Sequence, residues 1–203
     1  MANDSSTAPD RRTALADAAV SVLAEQGMRG LTHRAVDRAA GLPTGTTSAY
    51  LRTRSALLTA LVRRLVELDQ AELQAAGEAL PVPRDAAELT AALVQFTEGR
   101  LVGEGRRRTL ARYACTVESV HQPELREILR PRENAGRDLV RTFLAAHGAL
   151  DPESRTLTLL ACVDGLVFDR LTGGGEVSED EVRGLVDAAL RGDDATGRRS
   201  RRS

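Results

Sequence analysis

From residue 11 to residue 190 the apolar positions recur at three- and four-residue spacing, and nowhere do they alternate as a half-buried strand would. Leu15, Ala18, Ala19, Val22 and Leu23 form the first stripe, and Gly27 and Gly30 predict its end. Thr32 opens a second helical run, THRAVDRAAG, where its hydroxyl can accept from an early backbone N–H. Val36, Ala39 and Ala40 are expected on the inner face of that helix, with Gly41 as its stop. Leu42 is expected to plug the turn. Pro43 suits the first turn of a short third helix running from about Pro43 to Leu51. A fourth begins near Thr53, carries Leu57, Leu58, Leu61, Leu65 and Leu68 on one side, and keeps its register to about Ala76.

The rest of the chain is patterned in the same way. ALPVPRD (79–85) reads as a proline-marked linker. Leu89, Ala92, Leu93 and Phe96 stripe a fifth helix, and Leu110, Ala114 and Val117 a sixth. A seventh starts at Pro123 and carries Leu125 through Leu144, with Pro131 expected to kink or split it and Gly148 to end it. Residues 152–172 are apolar nearly all round, which predicts burial on several sides. Ser178 and Glu181 have capping-box spacing, Val177 can staple onto Val182, and Val182, Leu185, Val186 and Ala189 share one face of a ninth helix. The reading is an all-α chain of nine helices, with disordered tails at 1–10 and 192–203.

One element does not fit a core. Residues 41–54, GLPTGTTSAYLRTR, are small, polar and rich in threonine, yet lie between two strongly apolar segments. Helix, capped helix, tight turn and short polar helix is the order of a helix-turn-helix. A recognition helix must enter a major groove about 12 Å wide, so small side chains at its start let the backbone approach. Thr44, Thr46, Thr47 and Ser48 can donate to phosphate or base edges, Gly45 permits close approach, and the helix N-terminus favours phosphate. Tyr50 offers a ring to anchor the helix and a hydroxyl to reach phosphate. Arg54 and Thr32 are expected phosphate contacts, and His33 and Arg34 occupy an exposed first turn. For each of these the plain alternative is capping, packing or solvation. One such head makes too few contacts for specific binding, so two heads ~34–36 Å apart on a palindrome are expected.

Charge sharpens the reading. All 28 basic residues are arginine. Residues 1–64 hold nine Arg against five acidic residues, residues 65–194 fifteen against twenty-four, and GRRSRRS adds four more Arg. A polyanion met at one end only would suit that asymmetry. Cys115 and Cys162 are far apart in helical patterns and match no metal spacing, so free thiols and no metal are expected. No apolar run reaches the ~18 residues of a membrane span, and MANDSSTAPD lacks the pattern of a secretory signal; a cytoplasmic location is expected. No phosphate-binding glycine loop, nucleophile elbow or cofactor motif argues for an enzyme. The competing reading is a helical protein-interaction module, which would need an exposed apolar groove where residues 41–54 are polar.

Over residues 12–65 the chain resembles the tetracycline-repressor-like family of transcription regulators. Arg12, Leu15, Ala18, Ala19, Leu23 and Gly27 match the pattern of that family's first helix, GLTHRAVDRAAGL its second helix and turn, and PTGTTSAYLRTRSALL its recognition helix and the start of its fourth. Departures are Ser48 and Leu51 where aromatics are frequent, Tyr50 where His is, Arg54 for Lys, and Asp37 for a usual Ala. The resemblance implies a helix-turn-helix domain at 11–56 and a ligand-binding and dimerisation domain at 57–191. It implies a homodimer through the last two helices, binding to a double-stranded DNA operator, most often as a repressor. It also implies release by an unidentified small molecule held among the fifth to eighth helices. Phe96, Tyr113, Cys115, Phe143, Cys162, Asp164 and Phe168 are the candidate lining residues, with core packing as the plain alternative. Asp164 could meet a cationic ligand, pair with an arginine or lie at the dimer seam.

Overall fold

The computed structural model describes residues 10–79, 82–129 and 134–191, and every regular element among them is a helix. The leading segment before Asp10, two residues of the 79–85 linker, Pro131 and the arginine-rich tail lie outside the described residues. The order is α1 (Arg11–Gly30), α2 (His33–Ala39), α3 (Thr46–Tyr50), α4 (Arg54–Ala79), α5 (Ala86–Leu101), α6 (Gly103–Glu118), α7 (Pro123–Leu129), α8 (Ala135–Ala146), α9 (Pro152–Gly173) and α10 (Glu179–Leu190). Ten helices among the described residues replace the expected nine. The expected seventh is two, α7 and α8, and the Asn134 side chain caps the second by accepting from Arg137 N–H at 3.1 Å. Gly27 interrupts α1 as expected, with a non-helical φ of 67°, and a short further turn runs across this kink to Gly30.

The residues form two compact units. Among the described residues, the first joins 10–72 with 103–129. Its core is the predicted stripe of α1 (Leu15, Ala19, Val22, Leu23) packed with Leu31, Val36 and Leu51, the α4 leucines 57, 58, 61 and 65, and Ala111, Cys115, Leu125 and Leu129. The packing therefore does not stop at the boundary expected after residue 56, because leucines of α4 and apolar residues of α6 and α7 complete the same core. Each fully buried leucine contributes roughly 2 kcal/mol. Arg64 binds Asp17 at 2.6 Å, Arg108 binds Glu72 at 2.6 Å and Arg112 binds Asp69, so α4 is tied by charge to α1 and α6 as well as by packing.

Among the described residues, the second unit joins 73–79 and 82–102 with 134–191. Leu89 and Leu93 of α5, Val140, Phe143 and Leu144 of α8, Leu159 and Val163 of α9, and Val182 and Val186 of α10 make its core. The capping box at Ser178 and Glu181 forms as expected, beside buried Val177 and Val182. Arg155 donates to the carbonyls of Ala189 (3.1 Å) and Arg191 (2.7 Å), which α10 would otherwise leave without partners at its end.

Within this unit α9 departs from expectation. Thr156, Leu159, Val163, Val167 and Leu171 are buried, whereas Leu157, Ala161, Gly165 and Phe168 lie exposed along a second face. Leu157 is 50% and Phe168 52% accessible. Its sequence is apolar on two sides, and this chain covers one.

Candidate nucleic-acid interface

The first unit carries the helix-turn-helix. Thr32 caps α2 as predicted, its hydroxyl accepting from Ala35 N–H at 3.1 Å. Val36 faces the core, but Ala39 is exposed and Ala40 only half-buried, so the expected inner face is corrected. The second buried position of α2 is Asp37, 2% accessible. Gly41 (φ 64°) ends the helix, and half-buried Leu42 packs against the core.

The recognition element is shorter than expected. It begins at Thr46 rather than Pro43, because Pro43 lies in the turn and its carbonyl accepts from Thr46 N–H (3.1 Å) and Thr46 Oγ1 (2.6 Å). Gly45 is the N-cap with a φ of 98°, a left-handed conformation that favours glycine, and it has no side chain with which to cap. Asp37 supplies the missing acceptor. Its Oδ2 accepts from Gly45 N–H at 2.7 Å, and its Oδ1 from Thr47 N–H and Thr47 Oγ1, each at 2.6 Å. Desolvation pushes the Asp37 carboxyl up. The Thr47 hydroxyl, the Thr47 and Gly45 amides and nearby His33 outweigh it, leaving the group below its ordinary value.

Three residues expected to face DNA are committed inward. Thr47 is fully buried with its hydroxyl donated to Asp37, so it offers no outward donor; this corrects its expected role. His33 Nε2 lies 2.6 Å from the Leu51 carbonyl, which can only accept, so that nitrogen carries the proton and pins the end of α3 to the start of α2. Arg54 donates to the carbonyls of Leu31 and Met28, both at 2.8 Å, spending two of its five N–H groups on the α1–α2 link.

The remaining candidates are presented outward. Thr32, Arg34, Pro43, Thr44, Gly45, Ser48 and Tyr50 are exposed, and Thr46 is half-buried. Neighbours of equal interest lie beside them. Arg38 and Arg52 are exposed on either side of the recognition turn. A groove of about 410 Å³ runs between the start of α1 and the first turns of α4, lined by Arg12, Tyr50, Thr53, Ser55, Thr59 and Arg63. Its sequence signal is the polar row Ser55, Thr59, Arg63 at helical spacing beside the leucine stripe.

The ligand candidates have varied settings. Tyr113 and Cys115 belong to the first unit and the other five to the second. Cys115 is fully enclosed in its core, and burial pushes its thiol up to about 12. Phe143 is core, stacked on the His147 ring at 4.0 Å between centroids. Phe96 is half-buried with the Arg100 guanidinium 4.5 Å from its ring centre. Cys162, Asp164 and Phe168 lie on the exposed side of α9. For Cys115 and Phe143 the plain core reading is the one their burial supports. Among the described residues no cluster of three His, Cys, Asp or Glu could hold a metal, and no helix is long and apolar enough to cross a membrane.

The family described as "Tetracyclin repressor-like, C-terminal domain" matches residues 84–192, more than half of the chain. The chain belongs to the TetR family. Among curated TetR-type relatives, the HTH-type transcriptional regulator BetI of Serratia proteamaculans is 28% identical over 186 residues, covering 88% of this chain and 89% of that protein. A transcriptional regulator from Rhodococcus sp. Rha1 matches in structure with a TM-score of 0.68 at 28% identity, over 89% of this chain and 94% of the other. The multidrug binding protein EbrR, solved in complex with ethidium, matches with a TM-score of 0.66 at 26% identity over 90% and 100%. This TetR-family chain is thus an all-α transcriptional regulator whose relatives include ligand-binding members.

Proposed function

We propose that the chain is a homodimeric repressor that reads a palindromic operator and leaves it when a small molecule binds. The observation that carries the DNA half is the pair of outward hydroxyls, Thr44 and Ser48, on a turn held tightly in part by the Thr46 hydroxyl donating to the Pro43 carbonyl. It is flanked by Arg34, Arg38 and Arg52, none of which has an ion pair among the described residues. Hydroxyls and a bare turn fit base edges and phosphates in a major groove, and unpaired guanidiniums fit phosphate. Arg12, Tyr50 and Arg63 in the groove beside α4 suit the backbone flanking each half-site.

The open face of α9, continued by α10, supplies the pairing surface. Two copies of Leu157, Ala161, Gly165 and Phe168 would form a four-helix seam in which the small residues let the helices approach. Residues 11–56, joined by Arg63 of α4, then read DNA, while the rest of residues 57–191 pair and hold the effector. EbrR's complex with ethidium supports an effector bound by the helical body. By linkage, that effector must bind the DNA-incompetent state more tightly.

Selection of bound duplexes from a random pool at two salt concentrations tests the reading. An enriched palindrome should emerge, with affinity falling ~10³-fold or more between 50 and 200 mM salt if six or more phosphates are neutralised. A folded, ligand-stripped dimer that enriches nothing would refute it and favour a protein-interaction module.

A further inference from the structure

A five-residue helix cannot sustain itself, since nucleation fixes several residues for a single hydrogen bond. Its first N–H groups also have no partner inside the helix. α3 meets both problems, and its N-cap, Gly45, has no side chain to answer either. The left-handed φ of 98° at that position resists replacement by the Ser, Thr or Asp that caps most helices. The acceptor comes instead from the preceding helix. Asp37 stands eight residues before Gly45 and ten before Thr47, and its two oxygens take three donors at 2.6–2.7 Å.

We propose that Asp37 is the positioning residue of the recognition helix: it caps α3 from outside and so fixes the orientation in which Thr44 and Ser48 meet the operator. The inference rests on the DNA-binding function proposed above and extends it to a residue that touches no DNA. Three features carry it. The carboxylate is enclosed, so three protein donors answer its charge in place of water. Its negative charge lies at the positive end of α3, where it is favoured. Both oxygens are engaged, one with the loop and one with the helix, so turn and helix are held as one body. Thr47 completes the device by turning its hydroxyl inward, which is why a threonine in the middle of the reading row is withheld from the DNA. Preorganisation of this kind removes the ordering cost that a loose recognition helix would meet on binding.

A role in positioning and a role in stability alone predict different outcomes. Asp37→Asn keeps the shape but aims an amide N–H at a backbone donor. Asp37→Ala removes the acceptor altogether. Thr47→Val removes one of the three donors and keeps both amides, and Thr47→Ser restores the hydroxyl. Operator and random-sequence duplexes are titrated at one salt concentration, with each variant held well below its own unfolding midpoint. Hydrogen exchange of amides 45–50 is followed alongside.

The expected result is a loss of about tenfold or more in operator affinity for Asp37→Asn and Asp37→Ala. Random-sequence affinity and salt slope should be retained, and the amides of Gly45 and Thr47 should lose protection. Thr47→Val should fall between these variants and the natural protein, and Thr47→Ser should match the latter. Should the Asp37 variants not fold, the Thr47 pair carries the same test. Operator affinity unchanged in folded variants would overturn the inference while leaving the DNA reading intact, and so would equal losses on operator and random duplex. A natural protein that selects no operator sinks the DNA reading and the inference with it.

Discussion

Arg54 opens α4 and reaches back to the Leu31 carbonyl at 2.8 Å, with a second bond of the same length to Met28. The first residue of α4 thus clamps the link between α1 and α2, 23 residues earlier in the chain. Its fork satisfies two carbonyls at once, which a lysine cannot do with the same geometry. Arg54→Ala should therefore lower stability by roughly 1 kcal/mol, read as a shift in the urea midpoint. Arg54→Lys should recover only part of it. If Arg54 acted on phosphate alone, the midpoint would not move.

Arg12 and Arg63 line the groove beside α4 and have no ion pair among the described residues. If that groove seats a flanking phosphate, Arg63→Ala should weaken operator and random duplex alike and reduce the salt slope by about one per head. Replacing the flanking phosphate with an uncharged methylphosphonate should abolish the difference between Arg63→Ala and the natural protein. A persistent difference would assign Arg63 another role.

Asp37 also sets a pH dependence. Its folded carboxyl lies below the ordinary value of 3.8, because the bonds from Thr47 and Gly45 and the charge of His33 outweigh desolvation. A depressed carboxyl stabilises the fold above the unfolded value and loses that contribution as pH falls through the folded one. The stability gap between the natural protein and Asp37→Ala should be constant near neutrality and narrow below about pH 4. Urea midpoints across that range measure it, and a gap that widens in acid would reverse the sign argued here.

The two cysteines should respond differently to alkylation. Cys115 is enclosed and its thiol is raised to about 12, so it is neutral and shielded, whereas Cys162 is exposed on α9. At pH 8 iodoacetamide should modify Cys162 without denaturant when the chain is held monomeric by Phe168→Glu, and Cys115 only after denaturant is added. Peptide mapping reads both sites, and rapid native labelling of Cys115 would contradict the packing of the first unit.

Much of this was legible from spacing. The stripe of Leu15, Ala19 and Leu23, the Thr32 cap, and the Ser178–Glu181 box follow from local rules that act within one or two turns. Asp37 did not, because periodicity treats a charged residue as outward-facing and puts Ala39 inward. Only the fold shows that two backbone amides and a hydroxyl from the next helix await that carboxylate. Arg54 was hidden for the same reason: its partners are carbonyls, which every residue has and no pattern marks. The start of α3 was misplaced by Pro43, whose fitness for a first helical turn equally suits the turn before one. Among the ligand candidates, Phe143 is a side chain that the core already uses, and an apolar pattern does not distinguish a core wall from a pocket wall.

The open face of α9 yields the last prediction. Leu157 and Phe168 are each about half exposed, with Ala161 and Gly165 between them on the same side. An apolar row of this length left in water is costly, and a second copy across a two-fold axis would cover it with the same row. Phe168→Glu would place like charges near that axis, and Leu157→Arg would do the same at the other end. Both variants should keep their helical circular dichroism, since neither residue is part of the core, and should run as monomers in size-exclusion chromatography with light scattering. Each should also lose the palindrome and bind a half-site weakly, because two linked heads gain their specificity from being held at one spacing. A dimer that persists in both variants would move the pairing surface away from α9.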